Sequence, residues 1–262
     1  MLFALPFPSI NPVLFELGPL KIHWYGIAYV VGILLGWRYA IYLVRHYATH
    51  LKEQYFDDFV TWIVVGIVVG GRLGHIVIYE FSHYMRHPLE ILMTWKGGMS
   101  FYGGLLGVII STLIYCKRKS INPLEFSDVV AAVVPIGLGL GRVANFINGE
   151  LYGRVSDVPW AVEFPQGGGF PRHPSQLYEA FLEGFVLWLI LAFAWHRTNL
   201  YKTPGKITGL FLIGYAVSRF LVEYVREPDS VYHLASFSFT TGQLLALPMI
   251  GLGAFWLRCR KA

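Results

Sequence analysis

The chain has 262 residues, of which 55% are hydrophobic and 14% charged, whereas a soluble domain carries about 25% charged residues. With a mean hydropathy of +0.51, this excludes a water-exposed fold with a polar surface, a disordered chain and a collagen-like repeat. One polytopic membrane bundle is the expectation. The net charge of +5 accompanies apolar runs flanked by Lys and Arg, a pattern of membrane topology, so no nucleic-acid partner is expected.

The opening stretch MLFALPFPSINP lacks the basic start of a secretory signal and is interrupted by Pro6, Pro8 and Pro12. It is expected at the membrane interface. Seven apolar segments follow, at about 20–44, 59–79, 99–116, 124–147, 175–195, 207–225 and 239–257, each near the roughly 20 residues that a spanning helix needs. The stretch 87–95 is too short to span and is expected at the interface.

Loop cations set the orientation. Arg45, Lys52, Lys117, Arg118, Lys119, Arg197, Lys202, Lys206, Arg258, Arg260 and Lys261 fall on one side, and Lys21, Arg86, Lys96, Arg154, Arg172 and Arg226 on the other. The first set is about twice the second, which makes that side cytoplasmic, with the N-terminus outside and the C-terminus inside. The longest connection, 148–174, then lies outside. At roughly 26 residues it exceeds ordinary loops, so a functional or separately packed element is expected there. The two cysteines, Cys116 and Cys259, show no disulfide framework or metal-ligand spacing.

Charge within a bilayer helix is costly and needs a partner. Arg72 and His75 share a face of the second span. Spacing of three places Arg142, Asn145 and Asn148 on one stripe of the fourth, and steps of four place Tyr215, Arg219 and Glu223 on one face of the sixth. Asp128, Glu179 and Glu183 are expected to pair with arginines or to sit near helix ends, and Arg219 with Glu223 forms a local pair without chemistry on the plainest reading. Glycines at 32/36, 66/70/74 and 103/107 read as helix-packing contacts. Tyr25, after Trp24, fits an interfacial aromatic belt. One arginine costs about 2.5–3.5 kcal/mol at mid-bilayer. A lipid phosphate shared by Arg142 and Arg219 would offset that cost, since guanidinium forks suit phosphate. Gly97 and Gly98 before Tyr102, with Gly103 after it, would let a bulky headgroup approach the backbone. The residues alone thus favour a membrane protein that holds an anionic lipid near the outer leaflet.

At these same residues the chain resembles bacterial phosphatidylglycerol–prolipoprotein diacylglyceryl transferases. The resemblance runs in order through HWYGIAYVVG at 23–32, GGRLGHIVIY at 70–79, GGMSFYGGLLG at 97–107, GRVANFINGELYG at 141–153, RHPSQLYEA at 172–180 and GYAVSRFLVEYVREPD at 214–229. It implies an all-α seven-helix bundle with a small periplasmic head, one integral domain over 1–262. It also implies the first step of bacterial lipoprotein maturation: transfer of a diacylglyceryl group from phosphatidylglycerol to the lipobox cysteine of a prelipoprotein, with release of glycerol phosphate. The expected partners are phosphatidylglycerol, lipobox segments and membrane lipids. The resemblance further implies that Arg142 and Arg219 engage the phospholipid, that Asn145, Asn148, Glu150 and Gly153 form the signature run, and that Tyr25, Tyr215 and Glu223 hold further functional positions. No cofactor or metal is expected, since the chain has no P-loop, HExxH or CxxC.

One position departs from the family. Many members have His where this chain has Tyr102, and that His has been proposed as base for the acceptor thiol. A phenol with pKa about 10 is a poor base at neutral pH but a usable donor. The lipid phosphate, His75 or His173 are alternative acceptors. The His75 reading supposes that His and Tyr have exchanged places across two facing spans, and His173, before Pro174, also fits a helix start. A transporter or a non-catalytic lipid-binding relative would also fit buried charge. Internal repeats and broken helices would mark the first, and an eroded signature run the second; neither is evident.

Overall fold

The computed structural model describes residues 4–18, 20–47, 50–228, 230–234 and 237–258. Cys259, Arg260 and Lys261 lie outside the described residues. In chain order the helices are α1 (Trp24–His46), α2 (Glu53–Ile78), the short α3 (Phe81–Arg86), α4 (Phe101–Lys119) and α5 (Pro123–Asn148). There follow α6 (Ser175–Glu179), which continues through a π-helical stretch (Ala180–Val186) into α7 (Leu187–Arg197), then α8 (Lys206–Val222) and α9 (Thr241–Arg258). Each of the seven expected segments is helical over most of its length. Among the described residues four helical runs are long and apolar enough to cross a membrane: α1, α2, α5 and Ser175–Arg197.

The expected all-α class needs amending, because short strands join the helices: β1 (Leu5–Pro6), β2 (Val13–Leu17), β3 (Leu20–His23), β4 (Val162–Glu163), β5 (Pro171–Arg172), β6 (Val231–Leu234) and β7 (Phe237–Thr240). The first apolar segment therefore becomes helical only at Trp24. Residues 20–23 pair antiparallel with 13–17 across a turn that holds Gly18 at φ +58°, a conformation glycine adopts without strain. The 87–95 stretch forms 3₁₀ turns at Pro88–Leu92 and Thr94–Lys96, with Leu89, Leu92 and Trp95 exposed.

The chain divides into two compact units, Met1–Ala40 with Asp128–Ala262, and Ile41–Ser127. In the first, glycines let backbones meet. A Cβ on Gly32 would lie 3.0 Å from Gly137 Cα, and one on Gly139 would lie 3.2 Å from Gly184 Cα. In the second, α2 and α4 cross through Gly66, Gly70 and Gly74 against Gly103 and Gly107, with a Cβ on Gly74 only 2.5 Å from Gly103 Cα. The packing role read for these glycines holds. Lipid gives no hydrophobic drive to helix association, so close backbone contact supplies the dispersion instead. Phe56, Phe59, Tyr115 and Phe126 fill the core of this unit, with Phe56 stacked on Phe126 at 4.8 Å.

The 148–174 connection is a packed element, as expected. β4 pairs with β1 and β5, and Phe164, 1% exposed, packs its ring on Phe7, Phe146 and Tyr152. Asp128 answers the question left at sequence level. Its carboxylate accepts from Gly205 N–H, Thr208 N–H and the Thr208 hydroxyl, each at 2.7 Å, and so caps α8 from another helix. Helix N-termini leave donors unsatisfied, and a carboxylate there is favoured.

Two outcomes are expected in thermal unfolding of the purified protein. Gly70→Val forces a side chain against the Gly103 carbonyl and destabilises by about 1–3 kcal/mol, whereas Gly104→Ala, whose Cβ meets only the Ile67 carbonyl at 3.7 Å, is tolerated. Asp128→Ala removes the cap of α8 and costs roughly 2 kcal/mol, the upper range for loss of a cap.

Candidate functional site

The signature run closes α5 with a specific stop. Gly149 N–H donates to the Phe146 carbonyl at 2.9 Å and Glu150 N–H to the Asn145 carbonyl at 3.1 Å, with Gly149 at φ +67°. This is a Schellman termination, which calls for glycine at its left-handed position. It folds the Glu150 carboxylate back onto the helix, where Oε1 accepts from Asn145 Nδ2 at 2.8 Å and Asn148 Nδ2 at 3.2 Å. The next residues tie α5 to α6: Gln176 Nε2 donates to the Glu150 carbonyl at 2.6 Å and Ser175 Oγ to the Leu151 carbonyl at 3.1 Å. Gly153 lies where three segments converge. A Cβ there would meet the Val225 carbonyl at 2.5 Å and His173 Cβ at 2.7 Å.

About two turns before this stop, Arg142 enters a buried ion-pair cluster. The Gly139–Gly184 crossing brings α5 against the π-helical stretch, and π turns recur at functional sites. Arg142 Nη1 lies 3.2 Å from Glu179 and Nη2 3.2 Å from Glu183. Arg219 bonds Glu179 through Nη1 and lies 3.0 Å from Glu223 through Nη2. Arg226 Nε lies 3.6 Å from Glu179. Tyr215, one turn before Arg219, is within electrostatic reach of both arginines and both α6-side glutamates. The cluster thus holds three guanidinium and three carboxylate groups. Its side chains differ in exposure: Glu179 and Glu183 are 0% and Glu223 1% exposed, while Arg142 keeps 17% and Arg219 13%. The cluster therefore buries its anions more fully than Arg142 and Arg219. Gly242, at the start of α9, packs on the Arg219–Glu223 pair, where a Cβ would come within 2.5 Å of Glu223 Oε2.

The pairing expected of Glu179 and Glu183 is present, and so is the local Arg219–Glu223 pair. Protein carboxylates also offset the arginine charges here, a part expected of a lipid phosphate. Arg226 was not expected here. The sequence places it among the loop cations and in the 214–229 motif, three residues after Glu223 and beyond the end of α8. Tyr25 stands in the first turn of α1, its ring 5.0 Å from Tyr29, whose hydroxyl donates to that of Tyr25 at 3.3 Å. Tyr29 lies within electrostatic reach of Arg142 and Glu150.

His173 is fixed by its backbone: its carbonyl accepts from Gly153 N–H and its N–H donates to the Arg154 carbonyl. Its Nδ1 faces the Tyr178 hydroxyl at 3.2 Å. Burial lowers the imidazole pKa below its ordinary value, so the ring is neutral at pH 7.

The second unit holds the remaining candidates. Arg72 is 4% exposed and spends its donors on backbone. Nε–H bonds the Ile91 carbonyl at 3.0 Å, Nη1 those of Gly97 at 2.6 Å and Gly98 at 3.2 Å, and Nη2 those of Glu90 at 2.5 Å and Met93 at 3.4 Å. Its guanidinium also lies 4.9 Å from the Tyr84 ring centroid. Arg72 therefore pins the 90–98 segment ahead of α4. Gly98 sits under it, where a Cβ would meet His75 Nε2 at 2.7 Å and Arg72 Nη1 at 2.9 Å. Gly103 is taken up by the α2 crossing. Only Gly97 of these three faces open space. His75 points to Glu80 at 3.8 Å and packs its ring on Tyr79 and Tyr84. Tyr102, 48% exposed, packs on Phe101. The two spans do face each other, but among the described residues no hydrogen bond or ring contact joins His75 to Tyr102.

A family model described as Prolipoprotein diacylglyceryl transferase matches residues 12–259. Among similar proteins, the phosphatidylglycerol–prolipoprotein diacylglyceryl transferase of Rhodospirillum rubrum is 52% identical over 97% of this chain and 93% of its own length. The protein of the same name from Agrobacterium fabrum is 50% identical over 100% and 96%. That from Rickettsia akari is 50% identical over 95% and 96%.

Removing one partner from a buried ion pair leaves an uncompensated charge, at a cost of about 3–5 kcal/mol. Glu179→Ala is expected to lower thermal stability on that scale. Glu163→Ala, at the exposed position of β4, is expected to stay within about 0.5 kcal/mol of the parent.

Proposed function

Because the chain belongs to the prolipoprotein diacylglyceryl transferase family, we propose that it transfers the diacylglyceryl group of phosphatidylglycerol to the lipobox cysteine thiol of prelipoproteins. The observation that carries the site assignment is the cluster in which Glu179, Glu183 and Glu223 hold Arg142 and Arg219, the carboxylates buried and the arginine side chains keeping some exposed surface. Guanidinium groups fixed in this way suit a phosphodiester, whose oxygens accept from planar donor forks.

In the reaction the lipobox sulfur attacks the glyceryl carbon that bears the phosphate ester. The S–C bond forms, the C–O bond breaks, and the bonding pair leaves with glycerol phosphate. Arg142 and Arg219, held in place by Glu179, Glu183 and Glu223, meet the charge that grows on the departing phosphate, which is where fixed donors accelerate most. Tyr215 and Tyr25 supply hydroxyls to lipid oxygens. Asn145, Asn148 and Glu150 hold the end of α5 that carries Arg142, and Gly153 permits the chain crossing beside it. The thiol needs little activation: at pKa about 8.5 it lies about 1.5 units above neutral pH, roughly 2 kcal/mol.

Tyr102 takes the family's histidine position as a hydrogen-bond donor, and His75 is the proposed acceptor of the thiol proton. Gly97 leaves open space ahead of α4, while Gly98 and Gly103 act through packing. The cation asymmetry of the loops supports a multi-pass protein of the bacterial cytoplasmic membrane. In this reading seven helices span within one integral domain, the 148–174 head and the N-terminus are periplasmic, and the C-terminus is cytoplasmic.

The test uses purified protein in nanodiscs with phosphatidylglycerol and a lipobox peptide, following glycerol phosphate release and peptide mass together. The parent is expected to release glycerol phosphate with a matching diacylglyceryl mass gain. Arg142→Gln is expected to lose about 10²–10³ in rate while its unfolding transition shows it folded. Tyr102→Phe and His75→Gln are each expected to slow the reaction. Full turnover in His75→Gln removes His75 from the mechanism, and no release from folded parent protein overturns the transferase reading.

A further inference from the structure

The charge balance of the cluster has a consequence for how an anion is received. From α6 and the π-helical stretch come Glu179 and Glu183, and from α5 comes Arg142. The α8 side supplies Tyr215, Arg219 and Glu223, and the segment after it Arg226. The other charged neighbours are two of each sign. Arg172 pairs with Glu227 at 2.8 Å, while Glu150 is held by the Asn145 and Asn148 amides and Arg154 by the Arg226 carbonyl at 3.0 Å. With every carboxylate ionised the cluster is neutral, so a bound phosphodiester would leave one excess negative charge among side chains withdrawn from water. Excess charge there is costly. Relief by swinging a carboxylate out to solvent is closed to Glu179 and Glu183, which have no exposed surface. The remaining relief is protonation of a carboxylate.

The three buried glutamates are not equal candidates. Glu179 is approached by Arg142, Arg219 and Arg226, while among the described residues Glu183 pairs with Arg142 and Glu223 with Arg219. Each has a buried oxygen without a hydrogen-bond partner, but that of Glu179 lies 3.2 Å from Arg142 and that of Glu223 3.0 Å from Arg219, whereas Glu183 Oε1 is in no ion pair. Neutralising Glu183 sacrifices one ion pair, and protonation gives the group a donor where it had an idle acceptor. We propose that the site takes up its anionic lipid headgroup together with one proton, and that Glu183 is the residue that carries it. This rests on the phosphatidylglycerol reading above. It makes Glu183 a positioning residue for the headgroup: protonated, it frees the Arg142 fork to turn from carboxylate to phosphate.

The test is calorimetric titration of short-chain phosphatidylglycerol into the full-length protein in phosphatidylcholine nanodiscs. It is run at several pH values between 6 and 9, in buffers of different ionisation enthalpy. The parent is expected to take up one proton per lipid bound, with affinity weakening by up to about tenfold per pH unit on the alkaline side. Glu183→Gln is expected to abolish both the uptake and the pH dependence, while Glu163→Gln on the head leaves both intact. Lipid binding by the parent without proton uptake overturns the inference yet leaves the transferase standing. Uptake retained in Glu183→Gln overturns the assignment to that residue. No phosphatidylglycerol binding at any pH overturns both the inference and the lipid reading beneath it. If Glu183→Gln does not fold, proton stoichiometry in the parent decides the coupling, and Glu183→Asp, which keeps the carboxyl, is expected to retain the uptake.

Discussion

The structure of the first unit depends on placing charge where water is scarce. Three arginines and three glutamates meet where α5, the α6 side and α8 come together. An isolated ion withdrawn from water costs several kcal/mol, and even a paired one is favourable only with good geometry and further hydrogen bonds. That constraint accounts for the small residues around the cluster. Gly139 and Gly184 let two backbones touch so that Arg142 spans both glutamates, and Gly242 lets α9 close on the Arg219–Glu223 pair. The fold is tight there because looser helices would leave a charge without a partner.

Arg72 satisfies the same constraint by another route. In place of carboxylates it gathers the carbonyls of a single segment, Glu90, Ile91, Met93, Gly97 and Gly98. Five backbone dipoles stand in for one anion, and in return a segment of 3₁₀ turns is fixed ahead of α4. The two arrangements serve different ends. Arg72 is consumed by structure and almost wholly covered. Arg142 and Arg219 are held by carboxylates and keep some exposed surface.

The chemistry asked of such a site is modest. A thiol is a strong nucleophile close to its ionisation range, and the phosphate ester leaves well once its charge is met, so electrostatic preorganisation carries most of the burden. On the proposed mechanism a phenol suffices at position 102.

The sequence by itself determined the helical segments, because twenty-residue apolar runs have few other solutions in lipid. It also determined the packing role of the glycines at 66, 70, 74, 103 and 107, whose spacing marks a close-contact helix face, and the family, carried by ordered motifs across the chain. The stripes of Arg142, Asn145 and Asn148 and of Tyr215, Arg219 and Glu223 were legible as helical spacing. Only the tertiary structure decided which charges meet. Arg226 lies beyond the end of α8, the register of Glu179 and Glu183 passes into a π-helical stretch, and Asp128 turned out to cap a helix far along the chain. Local periodicity says which residues share a face. Ion pairs between helices are settled by crossing points and backbone distance, and those follow from the packing of the whole unit.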